Sequence, residues 1–198
     1  MNRSALLATV FFALPLTLEQ SLTLVGAEPV ILFDGKSLEQ WDVLGCEAVV
    51  EENAMLLKAG NGLVQTKRQY TNYVFECEWK ALRPEQWDSG IYFRYREVPA
   101  GRPWPKQYQV NLRQSMEGEL VSVPQGKNPV PVNAHEWNRF ELTVNGPAAA
   151  LKVNGREAWK VTGLEVGPGF IALQAEVPGG GQFLFRNVRI TELPSTRD

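Results

Sequence analysis

The sequence has little of the chemistry that metal, nucleotide and nucleic-acid sites require. Its 198 residues include two cysteines, Cys46 and Cys77, and one histidine, His135. Their number and spacing do not fit a metal-ligand cluster, and no glycine-rich phosphate loop occurs, so no cofactor is expected. The net charge is −2 and like charges form no run, which excludes the basic face that nucleic-acid binding needs.

The two cysteines leave their pairing open. Cys77 occupies an odd position in the segment Tyr73-Val74-Phe75-Glu76-Cys77-Glu78-Trp79, whose odd positions are apolar, so its thiol is expected in the core. Two buried thiols that act as small hydrophobes are one interpretation. A disulfide is the other, because an exported protein folds where disulfides persist.

Long apolar runs are confined to the N-terminus. Arg3, the apolar residues from 4 to 18 and the small residues Val25-Gly26-Ala27 together indicate a secretory signal with cleavage after Ala27. A retained membrane anchor is the alternative, but Glu19 and Gln20 leave the run shorter than the ~20 apolar residues of a spanning helix. Residues 1–27 are therefore predicted to be a signal peptide and residues 28–198 a single domain that is secreted or periplasmic.

After the leader no segment has helical periodicity, and short alternating segments separated by turn residues recur instead. Asn154-Gly155 is a strong hairpin turn because both residues tolerate positive φ. The predicted strands are residues 30–33, 48–50, 55–57, 73–82, 91–96, 108–113, 139–145, 149–153, 156–161, 170–175 and 183–193. Roughly ten to thirteen short strands predict an all-β jelly-roll-like sandwich of two antiparallel sheets.

Two segments attract attention for function. Alternation in residues 91–96 predicts that Tyr92 and Arg94 lie on the face opposite the core, with Ile91, Phe93 and Tyr95 inside. Residues 98–106 form the longest irregular stretch, which is either a functional loop or a rigid rim whose Trp104 plugs the edge of the core.

Several motifs follow one another in an order that resembles a known family. They are Leu32-Phe33-Asp34-Gly35-Lys36 with Trp41, the strand 70–79, Asp88-Ser89-Gly90-Ile91-Tyr92-Phe93-Arg94, Tyr108-Gln109-Val110-Asn111, Glu136-Trp137-Asn138, Gly169-Phe170-Ile171-Ala172-Leu173-Gln174 and Phe185-Arg186-Asn187-Val188-Arg189-Ile190. Each is weak alone, but together they cover the mature chain. The chain resembles the 3-keto-disaccharide hydrolases, whose fold is like that of concanavalin-type lectins and glucanases.

The resemblance implies cleavage of glycosides that carry a ketone at C3. Such a ketone acidifies the C2 proton, so a general base can remove it, the aglycone leaves from C1, and water adds across the resulting double bond. This sequence departs from the family where protons would be handled: the usual Glu is Gln109, the usual Gln is Asn111, and a common Asp is Arg113. Amides bind sugar hydroxyls but cannot act as bases.

The remaining candidate residues follow from this comparison. Glu176, as a replacement base, and Arg94, as a partner of the enolate oxygen, are the catalytic candidates. The candidate substrate-binding residues are Trp87, Asp88, Tyr92, Arg94, Trp104, Gln109, Asn111 and Gln174. Trp87 and Trp104 would stack on sugar rings, whereas Trp41, Trp79, Trp137 and Trp159 are expected in the core. His135, in a stretch that matches a structural motif, is not expected to catalyse.

A second enzyme class stays open. Glu76 and Glu78 share one face of a strand, at about the carboxyl spacing of a retaining glycosidase, although two solvated charges opposite the core face are the favoured explanation. Three functions are therefore compatible with the sequence: a 3-keto-glycoside hydrolase or lyase, a non-catalytic carbohydrate-binding module, and a structural or protein-binding sandwich. The expected partner is a carbohydrate in the first two.

Overall fold

The computed structural model describes residues 27–194, which contain eleven β-strands and no helix. The strands are β1 (Val30–Phe33), β2 (Trp41–Glu51), β3 (Ala54–Thr66), β4 (Tyr73–Ala81), β5 (Gly90–Tyr95), β6 (Gln109–Asn111), β7 (Asn138–Asn145), β8 (Ala148–Val153), β9 (Arg156–Val161), β10 (Phe170–Val177) and β11 (Phe183–Glu192). The predicted signal peptide lies outside these residues, except for Ala27. Within the described range, no helix is long and apolar enough to cross a bilayer.

The strands form one hydrogen-bonded series, β6-β5-β10-β3-β11-β4-β7-β8-β9, with β1 added to β11 and β2 added to β3. All pairs are antiparallel. The all-β antiparallel prediction is confirmed. The division into two separate sheets is not, because β3 belongs to both halves: residues 55–57 pair with β11 and residues 60–65 pair with β10.

Two glycines allow β3 to change partners. Gly60 has a φ of 90°, and a Cβ at Gly62 would lie 1.9 Å from the carbonyl oxygen of Leu44 on β2. Only glycine tolerates both the positive φ and so close an approach of two backbones. The sheet therefore curls at this point instead of continuing flat.

The curl encloses one main hydrophobic core. Phe75, Trp79 and Phe140 from one half of the sheet lie in the same buried cluster as Phe93 and Val110 from the other half. Successive residues of a strand point to opposite faces, so β3, β10, β5 and β6 also present a second face that points away from this core. That second face is called the outer face below, and it holds most of the functional candidates.

The hairpin prediction is confirmed. Asn154 and Gly155 join β8 to β9 with φ values of 50° and 78°. A second hairpin joins β2 to β3, with Glu52 and Asn53 at positive φ. Both strands of that hairpin are longer than their alternation indicated, because glycines and exposed residues interrupt the pattern in residues 42–48 and 58–62.

Three expectations about side chains have clear outcomes. Cys46 and Cys77 are unpaired thiols, so the buried-thiol interpretation holds for Cys77, and Cys46 is half-buried. Trp41, Trp79 and Trp159 are in the core as predicted. Trp137 is not: it is half-buried and lies beneath the guanidinium of Arg186, whose central carbon is 4.0 Å from the ring centroid.

The face assignment of β5 is wrong beyond Phe93. A register shift opposite residues 170–172 of β10 marks a bulge, and Arg94 within it has a φ of 55°. A bulge adds one residue to a strand and reverses the alternation after it. Tyr95, predicted to face the core, therefore joins Tyr92 on the outer face, and Arg94 leaves that face.

Candidate functional site

Strand register brings five of the predicted residues to the outer face. In the antiparallel pairs, Tyr92 on β5 lies opposite both Ala172 on β10 and Gln109 on β6. Two residues earlier on β5, Gly90 lies opposite Asn111. Paired residues of neighbouring strands point to the same face, so Tyr92, Gln109, Asn111, Gln174 and Glu176 share it.

Three of these side chains form a hydrogen-bonded chain. Gln109 Nε2 donates to Gln174 Oε1 at 2.6 Å, and Gln174 Nε2 donates to Glu176 Oε2 at 2.9 Å. An ionised carboxylate can only accept, so Glu176 fixes the orientation of both amides. The candidate base therefore accepts from one neutral amide, which is itself oriented by a second, and neither amide can compete with it for a proton.

Glycine at position 90 leaves room for this chain. A Cβ at Gly90 would lie 2.1 Å from Gln109 Nε2, so the Gln109 side chain crosses β5 directly over the glycine. Any larger residue would displace that side chain and separate it from Gln174. Gly90 belongs to the Ser-Gly-Ile motif found in the sequence. The reason for a glycine there is a contact with Gln109 on a neighbouring strand, which the sequence alone does not reveal.

Glu176 is basic for a carboxylate. Burial raises its pKa above the ordinary value, and the negative charge of Asp88 raises it further, while the Gln174 hydrogen bond and Arg113 act in the opposite direction. Burial also raises the pKa of Asp88, which Arg113 partly offsets from 3.7 Å, measured between Nε and Oδ2. Two carboxylates with raised pKa values in one place are typical of acid–base sites.

The loop after β10 lets the two carboxylates approach. The N–H of Asp88 donates to the carbonyl of Gly180 at 2.9 Å, and a Cβ at Gly180 would lie 2.2 Å from the Asp88 carbonyl oxygen. A Cβ at Gly179 would lie 3.4 Å from Glu176 Oε1. Sequence analysis missed this loop because consecutive glycines indicate a turn but not what the turn approaches.

The outer face also holds an aromatic cluster. Tyr92 and Tyr95 pack with Leu63 and Ala172, and Trp104 from the irregular loop lies against them. Burial, together with the charges of Asp88 and Glu176, raises the pKa of Tyr92 to about 12. Its hydroxyl therefore stays protonated at neutral pH and can donate a hydrogen bond to a ligand.

Trp104 lies against the aromatic cluster of the outer face and not at the edge of the main core. Its indole Nε1 is buried and has no hydrogen-bond partner among the described residues.

Trp87 lies elsewhere, beside Asp88 and Glu176 in a cleft of about 380 Å³. Its Nε1 donates to Glu117 Oε1 at 3.0 Å, and its ring contacts that of His135 at a centroid distance of 5.0 Å.

Asn111 is on the outer face, but its amide is engaged locally. Its Oδ1 accepts the backbone N–H of Arg113 at 2.9 Å, and its side chain is buried. Asn111 therefore shapes the end of β6 next to Gly90 more than it offers a free polar group. Ser89, which sequence analysis did not select, is fully buried and donates from Oγ to the Gln174 carbonyl at 2.7 Å.

Arg94 does not join the group. Its guanidinium donates to backbone carbonyls of Glu165 at 2.7 Å, of Thr71 at 3.4 Å, and of Gly146. The bulge turns the side chain toward the loops that these carbonyls belong to, away from Gln174 and Glu176. The guanidinium that does contact the carboxylates of the site is that of Arg113, through Asp88.

Glu76 and Glu78, the second pair of candidate carboxylates, lie on the other half of the sheet, and each forms ion pairs with arginines. Glu76 contacts Arg189 and Arg139, and hydrogen bonds from Arg189 lead in lowering its pKa. Burial raises the pKa of Glu78, but bonds from Asn187 and Arg186 outweigh it and leave the pKa lowered. A glycosidase needs one acid that keeps its proton near neutral pH, and neither residue is suited to that role.

Comparisons with known proteins agree with these observations. A family model described as the 3-keto-alpha-glucoside-1,2-lyase-like domain matches residues 28–191. A comparison with curated protein sequences finds no significant match.

Solved structures share the fold. A candidate glycosyl hydrolase from Parabacteroides distasonis ATCC 8503 superimposes with a TM-score of 0.66 at 17% identity, covering 84% of this chain and 94% of that one. The carbohydrate binding module CBM66 from Bacillus subtilis gives 0.59 at 10% identity, over 77% and 96%. The Bacillus licheniformis beta-glucanase gives 0.56 at 14% identity, over 85% and 99%. At such identities the likeness concerns the fold alone.

Proposed function

We propose, because the chain belongs to the 3-keto-alpha-glucoside-1,2-lyase-like family, that it is an exported enzyme that cleaves 3-keto-glycosides on the outer face of its sheet. The observation that carries the proposal is the Gln109–Gln174–Glu176 chain, which ends on a carboxylate of raised pKa. The proposal includes a concanavalin-like jelly roll in which the two halves of the curled sheet act as its two layers.

Glu176 would act as the general base. Its carboxylate takes the proton from C2, and the electron pair of that C–H bond moves into an enolate whose charge rests on the C3 oxygen. The protonated hydroxyl of Tyr92 is the donor available to that oxygen on the same face. In this role Tyr92 replaces Arg94, whose guanidinium is occupied by backbone carbonyls.

The remaining steps complete the balance of atoms. The enolate re-forms the C3 carbonyl and expels the aglycone from C1, which leaves a double bond between C1 and C2, and the aglycone oxygen takes up a proton. Water then adds its hydroxyl to C1 and its hydrogen to C2. Trp87, beside Glu176, and Trp104, over the aromatic cluster, offer faces on which pyranose rings can stack.

The test is aglycone release from p-nitrophenyl 3-keto-glucoside, with p-nitrophenyl glucoside as the unoxidised parent. Release from the keto compound alone supports the proposal. Glu176→Gln is expected to lower that rate by about a hundredfold or more, the usual contribution of a general base. Glu157→Gln, which changes an exposed, ion-paired carboxylate on β9, is the matched control and should leave the rate unchanged.

A binding protein of the same fold is the second candidate. The amides at positions 109 and 174 and the tyrosines and tryptophan of the outer face suit sugar recognition without chemistry. In that case neither compound would release p-nitrophenol, while the keto compound would still raise the melting temperature of the protein. Equal stabilisation of Glu176→Gln and the native protein would then show that the charge of Glu176 does not contribute to binding.

A further inference from the structure

A cleft at one end of the outer face carries an unbalanced positive charge. It has a volume of about 460 Å³, shares Tyr92 and Gln109 with the site, and is lined by the two cations Arg102 and Lys106 against one carboxylate, Glu165. No side chain of residues 27–194 forms an ion pair with Arg102 or Lys106. Neither cation therefore has an ion-pair partner within this range, and together they outnumber the one carboxylate of the cleft, Glu165.

The loop that carries these cations is held in place. Arg102 closes a turn by donating its backbone N–H to the Pro99 carbonyl at 3.1 Å. Pro103 and Pro105 flank Trp104, and the proline rings fix φ on both sides of the tryptophan that packs on the aromatic cluster. A backbone fixed in this way need not be ordered on binding, so the ordering cost is confined to the side chains of Arg102 and Lys106.

Charge is distributed unequally along the outer face. Glu176 lies four residues beyond Ala172 on β10, which is roughly 13 Å at the rise of a strand, and Ala172 is the partner of Tyr92. Tyr92 lines the cleft together with Arg102, and charges from both regions act on its hydroxyl: Asp88 and Glu176 raise its pKa, while Arg102 lowers it. An anion would be repelled at the Glu176 end and attracted at the Arg102 end.

We propose that the ligand is an acidic glycoside, whose anionic substituent binds between Arg102 and Lys106 while its neutral sugar ring faces Glu176. This inference rests on the proposed function and adds the class of substrate. A carboxylate on the sugar and a sulfate ester on the sugar share the required chemistry, since both accept charge-assisted hydrogen bonds from guanidinium and ammonium groups.

The experiment measures binding by titration calorimetry with three probes: methyl glucoside, methyl glucuronide and methyl glucoside 6-sulfate. At low salt at least one anionic probe should bind about tenfold more tightly than the neutral one, the gain of one charge-assisted hydrogen bond. That advantage should shrink as salt rises toward 1 M, where screening is strong. The anionic probe that binds more tightly, the glucuronide or the sulfate, identifies whether the natural anionic group is a carboxylate or a sulfate ester.

Variants assign the effect to the cleft. Arg102→Gln combined with Lys106→Gln should lower the affinity of the anionic probes to that of the neutral probe. Glu165→Gln should raise the affinity of the anionic probes, because it removes a negative charge from the cleft. The control, Lys36→Gln combined with Arg156→Gln, removes the same charge from exposed positions on other loops and strands and should leave the preference intact.

The outcomes separate this inference from the function it rests on. Equal binding of all three probes, or a preference that survives the loss of Arg102 and Lys106, overturns the acidic substrate and leaves the sugar site standing. Failure of all three probes to bind, together with no release from 3-keto-glucoside, overturns both. A preference for an anionic probe that depends on Arg102 and Lys106 supports the inference whether or not glycoside cleavage is observed.

Discussion

The side-chain amide of Gln174 donates to Glu176 Oε2 at 2.9 Å, two residues apart on the same face of β10. Alternate residues of a strand are near enough for this contact without any distortion. The hydrogen bond stabilises the ionised form of Glu176 and lowers its pKa against the effects of burial and Asp88. The basicity of the candidate catalytic residue is therefore set by a neutral neighbour as well as by a charged one.

Replacing Gln174 tests that relationship. Gln174→Leu removes the hydrogen bond, so the pKa of Glu176 should rise and the acidic limb of the kcat/KM profile should move to higher pH. At a fixed pH near neutrality kcat/KM should fall by about tenfold, as expected for one lost hydrogen bond. Gln65→Leu, which breaks a bond to Tyr95 on the same face, is the control. An unmoved limb would show that Glu176 is not the titrating base.

Asp88→Asn should move the same limb in the opposite direction. The charge of Asp88 raises the pKa of Glu176, so its removal should lower that pKa and extend activity to lower pH. The same pH profile measures it. A shift in the same direction as that of Gln174→Leu would contradict the assignment, because a general disturbance of the site has no reason to reverse sign between the two variants.

The two tight glycines of the site should respond differently to alanine. At Gly90 the new methyl meets the far end of the Gln109 side chain, which can move, whereas at Gly180 it meets the backbone of Asp88, which cannot. Gly90→Ala should therefore weaken substrate binding with little loss of stability. Gly180→Ala should cost about 1–3 kcal/mol of stability, the range for overpacked sites. Urea denaturation and KM together distinguish them, and equal destabilisation would argue against a movable Gln109.

Local sequence patterns account for most strands of this fold but not for its curl. Alternation and turn residues are properties of neighbours in the chain, so the hairpin at Asn154-Gly155 and the strand Tyr73–Ala81 were predictable. The exchange of partners along β3 depends on the approach of Gly62 to Leu44, a contact between strands that no local pattern encodes.

The candidate site was predictable to a similar extent. Gln109, Gln174 and Glu176 were selected from their alignment with family motifs, and register brings them together. Arg94 was assigned to the wrong face because the alternation of β5 was assumed to continue past Phe93. The bulge that interrupts it is visible only in the pairing with β10, where the register shifts between Phe170 and Ala172. Arg113, Gly179 and Gly180 were not selected as site residues. Arg113 and Gly180 contact Asp88 and Gly179 contacts Glu176, and the contacts with Asp88 join parts of the chain that are distant in sequence.

Glu76 should contribute to stability and not to activity. Its carboxylate accepts from Arg189 and Arg139, and Glu76→Gln should cost about 2 kcal/mol, the scale of a charged hydrogen bond, with unchanged aglycone release. Because the folded pKa is lowered, this stability is present above the ordinary pKa of a glutamate and is lost as pH falls through the folded value. The difference between native protein and variant in urea unfolding should accordingly vanish in acid, and a constant difference would refute the ion-pair explanation.

Arg94→Met separates a structural arginine from a catalytic one. The methionine keeps much of the aliphatic stem but removes the guanidinium that donates to the carbonyls of Glu165, Thr71 and Gly146, which hold three separate loops together. Loss of these bonds in a buried position should destabilise the protein by about 3 kcal/mol. The kcat of the molecules that remain folded should be unchanged, because the guanidinium does not reach Glu176. Urea unfolding measures the loss of stability, and kcat per folded active site measures the effect on the reaction. A hundredfold fall in kcat with unchanged stability would instead show that Arg94 acts in catalysis as the partner of the enolate oxygen.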